Sequence, residues 1–73
     1  MNIREAKLLH KYTIKDVVDT PQISRRLGEL GIYKGAEICV VKKSIFKQSY
    51  LIEVFGVLIA IRLSMLKGVI LDG

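Results

Sequence analysis

The segment from Asp19 to Val41 constrains the fold more than any other part of the chain, because it holds a helix start, a helix stop, a turn and a strand in close succession. Thr20 is placed to accept a bond from an orphan amide as N-cap, and Pro21 is preset for the first helical position. The pattern predicts a helix from Pro21 to about Leu30, with Ile23, Leu27 and Leu30 at i, i+4 and i+7 on one apolar stripe. Gln22, Arg25, Arg26 and Glu29 then face water. Gly31 supplies the left-handed conformation at C′, which makes Leu27 the C3 and Ile32 the C″ residue of a Schellman cap, two side chains that should touch. Gly28 lies inside the helix at a cost of roughly 1 kcal/mol relative to alanine. Either close backbone approach by another element or simple drift accounts for it.

Beyond the Tyr33-Lys34-Gly35 turn, Ala36, Ile38 and Val40 alternate with Glu37, Cys39 and Val41, as on the two faces of a strand. Lys11 to Val18 reads as an earlier strand that offers Tyr12, Ile14 and Val17 to the core. Lys42 to Ser49 is expected as a loop. Tyr50–Val54 and Val57–Arg62 pair as a hairpin through Phe55-Gly56, where glycine permits a positive φ. The second of these strands is apolar on both faces. Ser64 is a candidate cap for one helical turn through Lys67, ended by Gly68, and Val69-Ile70-Leu71 makes the last strand. Five short strands and one inserted helix, in 73 residues, leave room for a single domain over residues 1–73, mainly β and wrapped as a small five-stranded barrel.

Composition narrows the class. With 51% apolar residues, six glycines and one proline the chain is not disordered. The run Val54–Ile61 ends at Arg62, far short of the ~20 apolar residues of a membrane span. No membrane insertion is expected, and the first residues lack the apolar core of a secretory signal. One cysteine suits a reducing cytosol. The net charge of +5 is spread along the sequence, with short clusters at Arg25-Arg26 and Lys42-Lys43, and favours an anionic partner weakly.

The pattern R-R-L-x-E-L-G-I-x-x-G-A-x-I-x-V from Arg25 to Val40, with Ala60-Ile61-Arg62 near the end, resembles the signature of the FeoA family, small cytosolic partners of the ferrous-iron transporter FeoB. The resemblance implies an SH3-like barrel, a cytoplasmic location and an accessory role in bacterial ferrous iron uptake. It spans most of the chain and carries no chemistry of its own. Gly28 stands where the family usually has a larger side chain, and the 42–49 loop lacks the family's Gly and Pro.

No catalytic constellation stands in the sequence. His10 and Cys39 are the only residues of their kinds and nothing links them. Cys39 reads as a small half-buried hydrophobe and His10 as a surface residue. No C-x-x-C or H-x-x-x-H spacing exists, and Glu29, Glu37 and Glu53 read as solvent-facing, so neither a cofactor nor a metal site is expected. A phosphate loop is also lacking. The chain is expected to act by contact rather than as an enzyme.

Two kinds of contact remain. The first is protein binding, which the resemblance directs to the cytosolic region of a FeoB-type transporter. The expected contact set is Arg25, Arg26, Leu27, Tyr33, Lys34 and Arg62, with Arg25, Arg26, Tyr33 and Lys34 grouped at the rim formed by the helix end and the following turn. Leu27 also fits the core, and Arg62 fits either a rim contact or a local ion pair. The second is a basic nucleic-acid module, for which Lys42, Lys43, Phe46 and Lys47 make the best case. Few exposed aromatics interleave with arginines, and no nucleic acid is expected. Apolar residues on Val57–Ile61 and Val69–Leu71 lead to a further expectation, self-association.

Overall fold

A computed structural model of the chain describes residues 1–44, 46 and 48–73. Strand β1 (Lys11–Val17) is followed by helix α1 (Pro21–Glu29), strands β2 (Glu37–Ser44), β3 (Ser49–Val54) and β4 (Val57–Arg62), a single-turn helix α2 (Leu63–Leu66) and strand β5 (Val69–Asp72). The five strands form one antiparallel sheet in the order β4-β3-β2-β1-β5. The mainly β, SH3-like architecture is as expected, but the barrel is not closed by hydrogen bonds, since β4 and β5 are the two edges and α2 connects them. Their edges are treated differently. At β5 the chain start lies alongside, where Leu71 donates its amide to the Met1 carbonyl at 2.6 Å, the Met1 ammonium donates to the Leu71 carbonyl at 2.6 Å, and Asn2 bridges to Ile70.

Two bulges set which side chains reach the core. The β1–β5 register shifts between Ile14 and Asp16, so Tyr12 and Ile14 point inward and, one residue out of phase, Val17 does too. The β2–β3 register shifts between Val40 and Lys42, which aligns Lys43 with the buried Tyr50 and turns the Lys43 stem onto the inner face. Its ammonium donates to the carbonyls of Arg4 and Ala6, each at 2.9 Å, and lies 5.5 Å from the Tyr50 ring centroid. These bonds hold a 3-10 turn (Ile3–Glu5) against the sheet and bury Ile3 completely.

Several local expectations are corrected. Four residues of the segment read as a loop from Lys42 to Ser49 are strand, because β2 continues to Ser44 and β3 begins at Ser49; Phe46 and Gln48 lie in the turn, and Ile45 and Lys47 lie outside the described residues. Strand β1 ends at Val17, since Val18 turns to donate its amide to the Gly68 carbonyl at 2.8 Å. Ser64 lies within α2, whose N-cap is Arg62 without a side-chain bond. Val69 and Leu71 are fully buried and offer no surface patch.

Candidate functional site

Helix α1 begins and ends as its sequence dictates. The Thr20 hydroxyl accepts the Ile23 amide at 3.3 Å and Pro21 takes the first helical position. At the other end Gly31 adopts φ +93°, donating its amide to the Gly28 carbonyl at 3.0 Å, while Ile32 donates to the Leu27 carbonyl at 2.8 Å. These are the two bonds of a Schellman cap, and Leu27 and Ile32 are both fully buried in the core. Leu30 is the C-cap and is 37% exposed, so the apolar stripe loses its last member to the surface. A Cβ on Gly28 would meet nothing within 4 Å, which removes close approach as its reason; the glycine that an approaching backbone does require is Gly68, where a Cβ would overlap the Val18 carbonyl.

Gly31 also brings the helix end onto the β3–β4 hairpin. A Cβ there would lie 3.0 Å from Val54 Cγ1 and 3.1–3.2 Å from two carbons of the Phe55 ring. The following turn closes with the Ala36 amide on the Tyr33 carbonyl at 3.0 Å, and Gly35 at φ +93° gives it type II geometry. It sets the Tyr33 ring beside that of Phe55, centroids 6.3 Å apart and planes tilted by 34°. Between this turn and the hairpin tip lies a cleft of about 310 Å³. Tyr33 and Phe55 form its aromatic part, Gly35 and Gly56 allow close access, and Lys11, Glu37 and Glu53 supply charge. Cys39 lies in the cross-strand row Lys11–Cys39–Glu53 and is 8% exposed, more covered than the half-buried position expected for it. Its neighbours' side chains cover it, since directly opposed residues share a face.

Phe55 is the member of this site that sequence reasoning missed. It occupies the left-handed region at φ 52° next to Gly56 at φ 76°, so both residues of the two-residue hairpin turn have positive φ. Phenylalanine is a poor choice for that conformation, and its ring is 71% exposed. The cue in the sequence was an aromatic residue where Asn or Asp is the usual partner of glycine.

The expected contact residues separate into three groups. Arg25 and Arg26 are exposed on α1, with Arg26 in its last turn, and Tyr33 and Lys34 are exposed on the turn that follows. Leu27 is fully buried and can only position the rim, not touch a partner. Arg62 is exposed at the far end of β4, paired with Ser49, while Val57 pairs with Val54 beside the cleft. Five residue steps along the strand separate the two ends, about 17 Å. Arg62 therefore does not join the rim. His10 is exposed and packs against Tyr12 with ring centroids 4.6 Å apart and planes tilted by 52°, and no group of three or more His, Cys, Asp or Glu converges as a metal site among the described residues. No helix among the described residues is long and apolar enough to cross a membrane.

Comparison with known proteins extends this geometry. No curated protein matches the sequence. Among solved structures, FeoA of Stenotrophomonas maltophilia in complex with zinc, described as a procaryotic SH3 domain protein, is 33% identical over 99% of this chain and 89% of that one, with a TM-score of 0.82. FeoA of Chlorobium tepidum is 24% identical over 97% of this chain and 68% of that one, TM-score 0.84. ScaR with bound Cd2+ contains the same fold within a longer protein, at 22% identity over 99% of this chain and 34% of that one, TM-score 0.85. The FeoA domain model matches residues 1–72, and the chain belongs to the FeoA family, associated with ferrous iron transport.

Proposed function

We propose that this chain is a single-domain, cytosolic accessory protein of ferrous iron uptake that binds the cytosolic region of a FeoB-type transporter and assists or regulates it. The observation that carries the reading is the aromatic pair Tyr33–Phe55 at the mouth of the cleft, adjoining the end of α1. Aromatic and arginine side chains at the centre of a contact are the usual sources of binding energy, and the rim offers Tyr33 and Phe55 with Arg25 and Arg26 on the adjoining helix. The related S. maltophilia protein is described in terms of a ferrous iron transport activating factor, which is consistent with an accessory role. The nucleic-acid alternative is weakened by Lys43, whose ammonium is engaged with the Arg4 and Ala6 carbonyls. Lys47, another member of that basic set, lies outside the described residues. Retention of a FeoB cytosolic fragment on the immobilised protein tests the reading, and a wild type that retains none contradicts it.

A further inference from the structure

The two edges of the sheet pose opposite situations. The chain start lies along β5 and exchanges hydrogen bonds with Leu71, and both bulges of the sheet fall in the ladders of β1 with β5 and β2 with β3. Strand β4 pairs with β3 in unbroken register from Val54↔Val57 to Ser49↔Arg62, and among the described residues no other strand borders it. Its stretch Val57-Leu58-Ile59-Ala60-Ile61 has no charge, proline or glycine to discourage pairing, and the strand carries a charge at its end, on Arg62.

The hairpin geometry also says which backbone groups are free. Val54 and Val57 flank a two-residue turn and form a hydrogen-bonded pair, so Val57, Ile59 and Ile61 direct their amides and carbonyls to β3. Leu58 and Ala60 direct theirs away from it, and so does the Arg62 amide, while the Arg62 carbonyl, at the N-cap of α2, accepts the first bond of that helix. The side chains of these three share the outer face, where Leu58 is 57% exposed.

We infer that this edge pairs with the β4 edge of a second copy of the chain, antiparallel about a two-fold axis at Ala60, joining two sheets into one. In this register Ala60 faces Ala60 and exchanges both bonds with it, and the carbonyl of Leu58 faces the amide of Arg62 of the other copy. Charge favours the choice of occupant. A chain of net charge +5 repels its own copy over most approaches, whereas here the central contact is neutral and each Arg62 comes beside the other copy's Leu58, whose β3 neighbour is Glu53. A six-residue edge makes a narrow interface, and the dimer belongs to the weak, small-interface class. The contact borders the cleft at Glu53 but uses neither Tyr33 nor Phe55, and it does not depend on the function proposed for the rim.

Sedimentation equilibrium from about 10 µM to about 1 mM tests this. The wild type should shift from monomer toward dimer. Leu58→Lys, which opposes cations across the seam, and Ala60→Pro, which removes an amide directed away from β3, should each remain monomeric with circular dichroism unchanged. In a Cys39→Ala background, Ala60→Cys should give a disulfide-linked dimer on mild oxidation, because Cα atoms of a hydrogen-bonded pair lie about 5.5 Å apart. Wild type that stays monomeric at 1 mM, or a dimer that survives both folded edge variants, overturns the inference. Failure of Ala60→Cys to crosslink in a sample that still dimerises overturns the register.

Discussion

Alanine placed at Gly28 and at Gly31 should change stability in opposite directions, although the two positions are three residues apart. Gly28 is helical and open, so alanine there recovers helix propensity and reduces the freedom of the unfolded chain, a gain of about 0.5–1 kcal/mol. Gly31 sits at φ +93°, where a Cβ costs about 1–2 kcal/mol, and that Cβ would press on Val54 Cγ1 at 3.0 Å and the Phe55 ring at 3.1 Å. The exposed Phe55 ring can yield, but the buried Val54 cannot move freely, so the loss should reach about 2–3 kcal/mol. Urea unfolding resolves both changes. For a domain of this size 1 kcal/mol corresponds to roughly 4–8 °C, so the two variants should differ in Tm by at least about 10 °C. A Gly31→Ala variant as stable as wild type would refute the left-handed cap, and a Gly28→Ala variant that loses stability would refute the open helix face.

Gly68→Ala should be more damaging than Gly31→Ala, costing about 3 kcal/mol or more, because its Cβ would overlap the Val18 carbonyl; wild-type urea unfolding by this variant would contradict the close approach. Phe55→Asn trades a ring contact of about 0.5–1.5 kcal/mol for a residue suited to the left-handed turn, so stability should stay within about 1 kcal/mol while partner binding falls; unchanged binding would remove Phe55 from the contact. Micromolar Fe(II) or Zn(II) should leave the melting temperature of tag-free protein unchanged; a rise of several degrees that His10→Ala or Cys39→Ala abolishes would contradict the ligand geometry.

The parts of the fold legible in the sequence were those written in local chemistry. Thr20-Pro21, the Leu27–Ile32 spacing and Gly31 give the helix and its cap, and alternation over Ala36–Val40 gives the strand that follows. What was not legible depends on contacts distant in sequence. The bulge between Val40 and Lys42 carries the strand through residues that looked like a loop, and it assigns Lys43 to the 3-10 turn at the chain start rather than to a basic surface. Leu30 carries the right spacing for the core, but it falls at the C-cap, where the backbone leaves the helical path. At the candidate site, Tyr33 and its turn could be read from the glycines. Its pairing with Phe55 could not, because only the packing of Gly31 on the hairpin brings that tip to the rim.

The central claim is that the rim of Arg25, Arg26, Tyr33 and Lys34, together with Phe55, is the contact surface for the transporter. Its most direct test is the affinity of a FeoB cytosolic fragment for wild type, Arg26→Glu and Tyr33→Ala at physiological salt, with Lys15→Glu as a control for net charge on the exposed β1 bulge. Losing a hot spot of ~2 kcal/mol weakens binding about thirty-fold, so both rim variants should show that loss with Tm nearly unchanged, while Lys15→Glu stays within about three-fold of wild type. Equal affinity of all four proteins, or equal weakening by Lys15→Glu and Arg26→Glu with Tyr33→Ala unaffected, would contradict the rim as the site of contact.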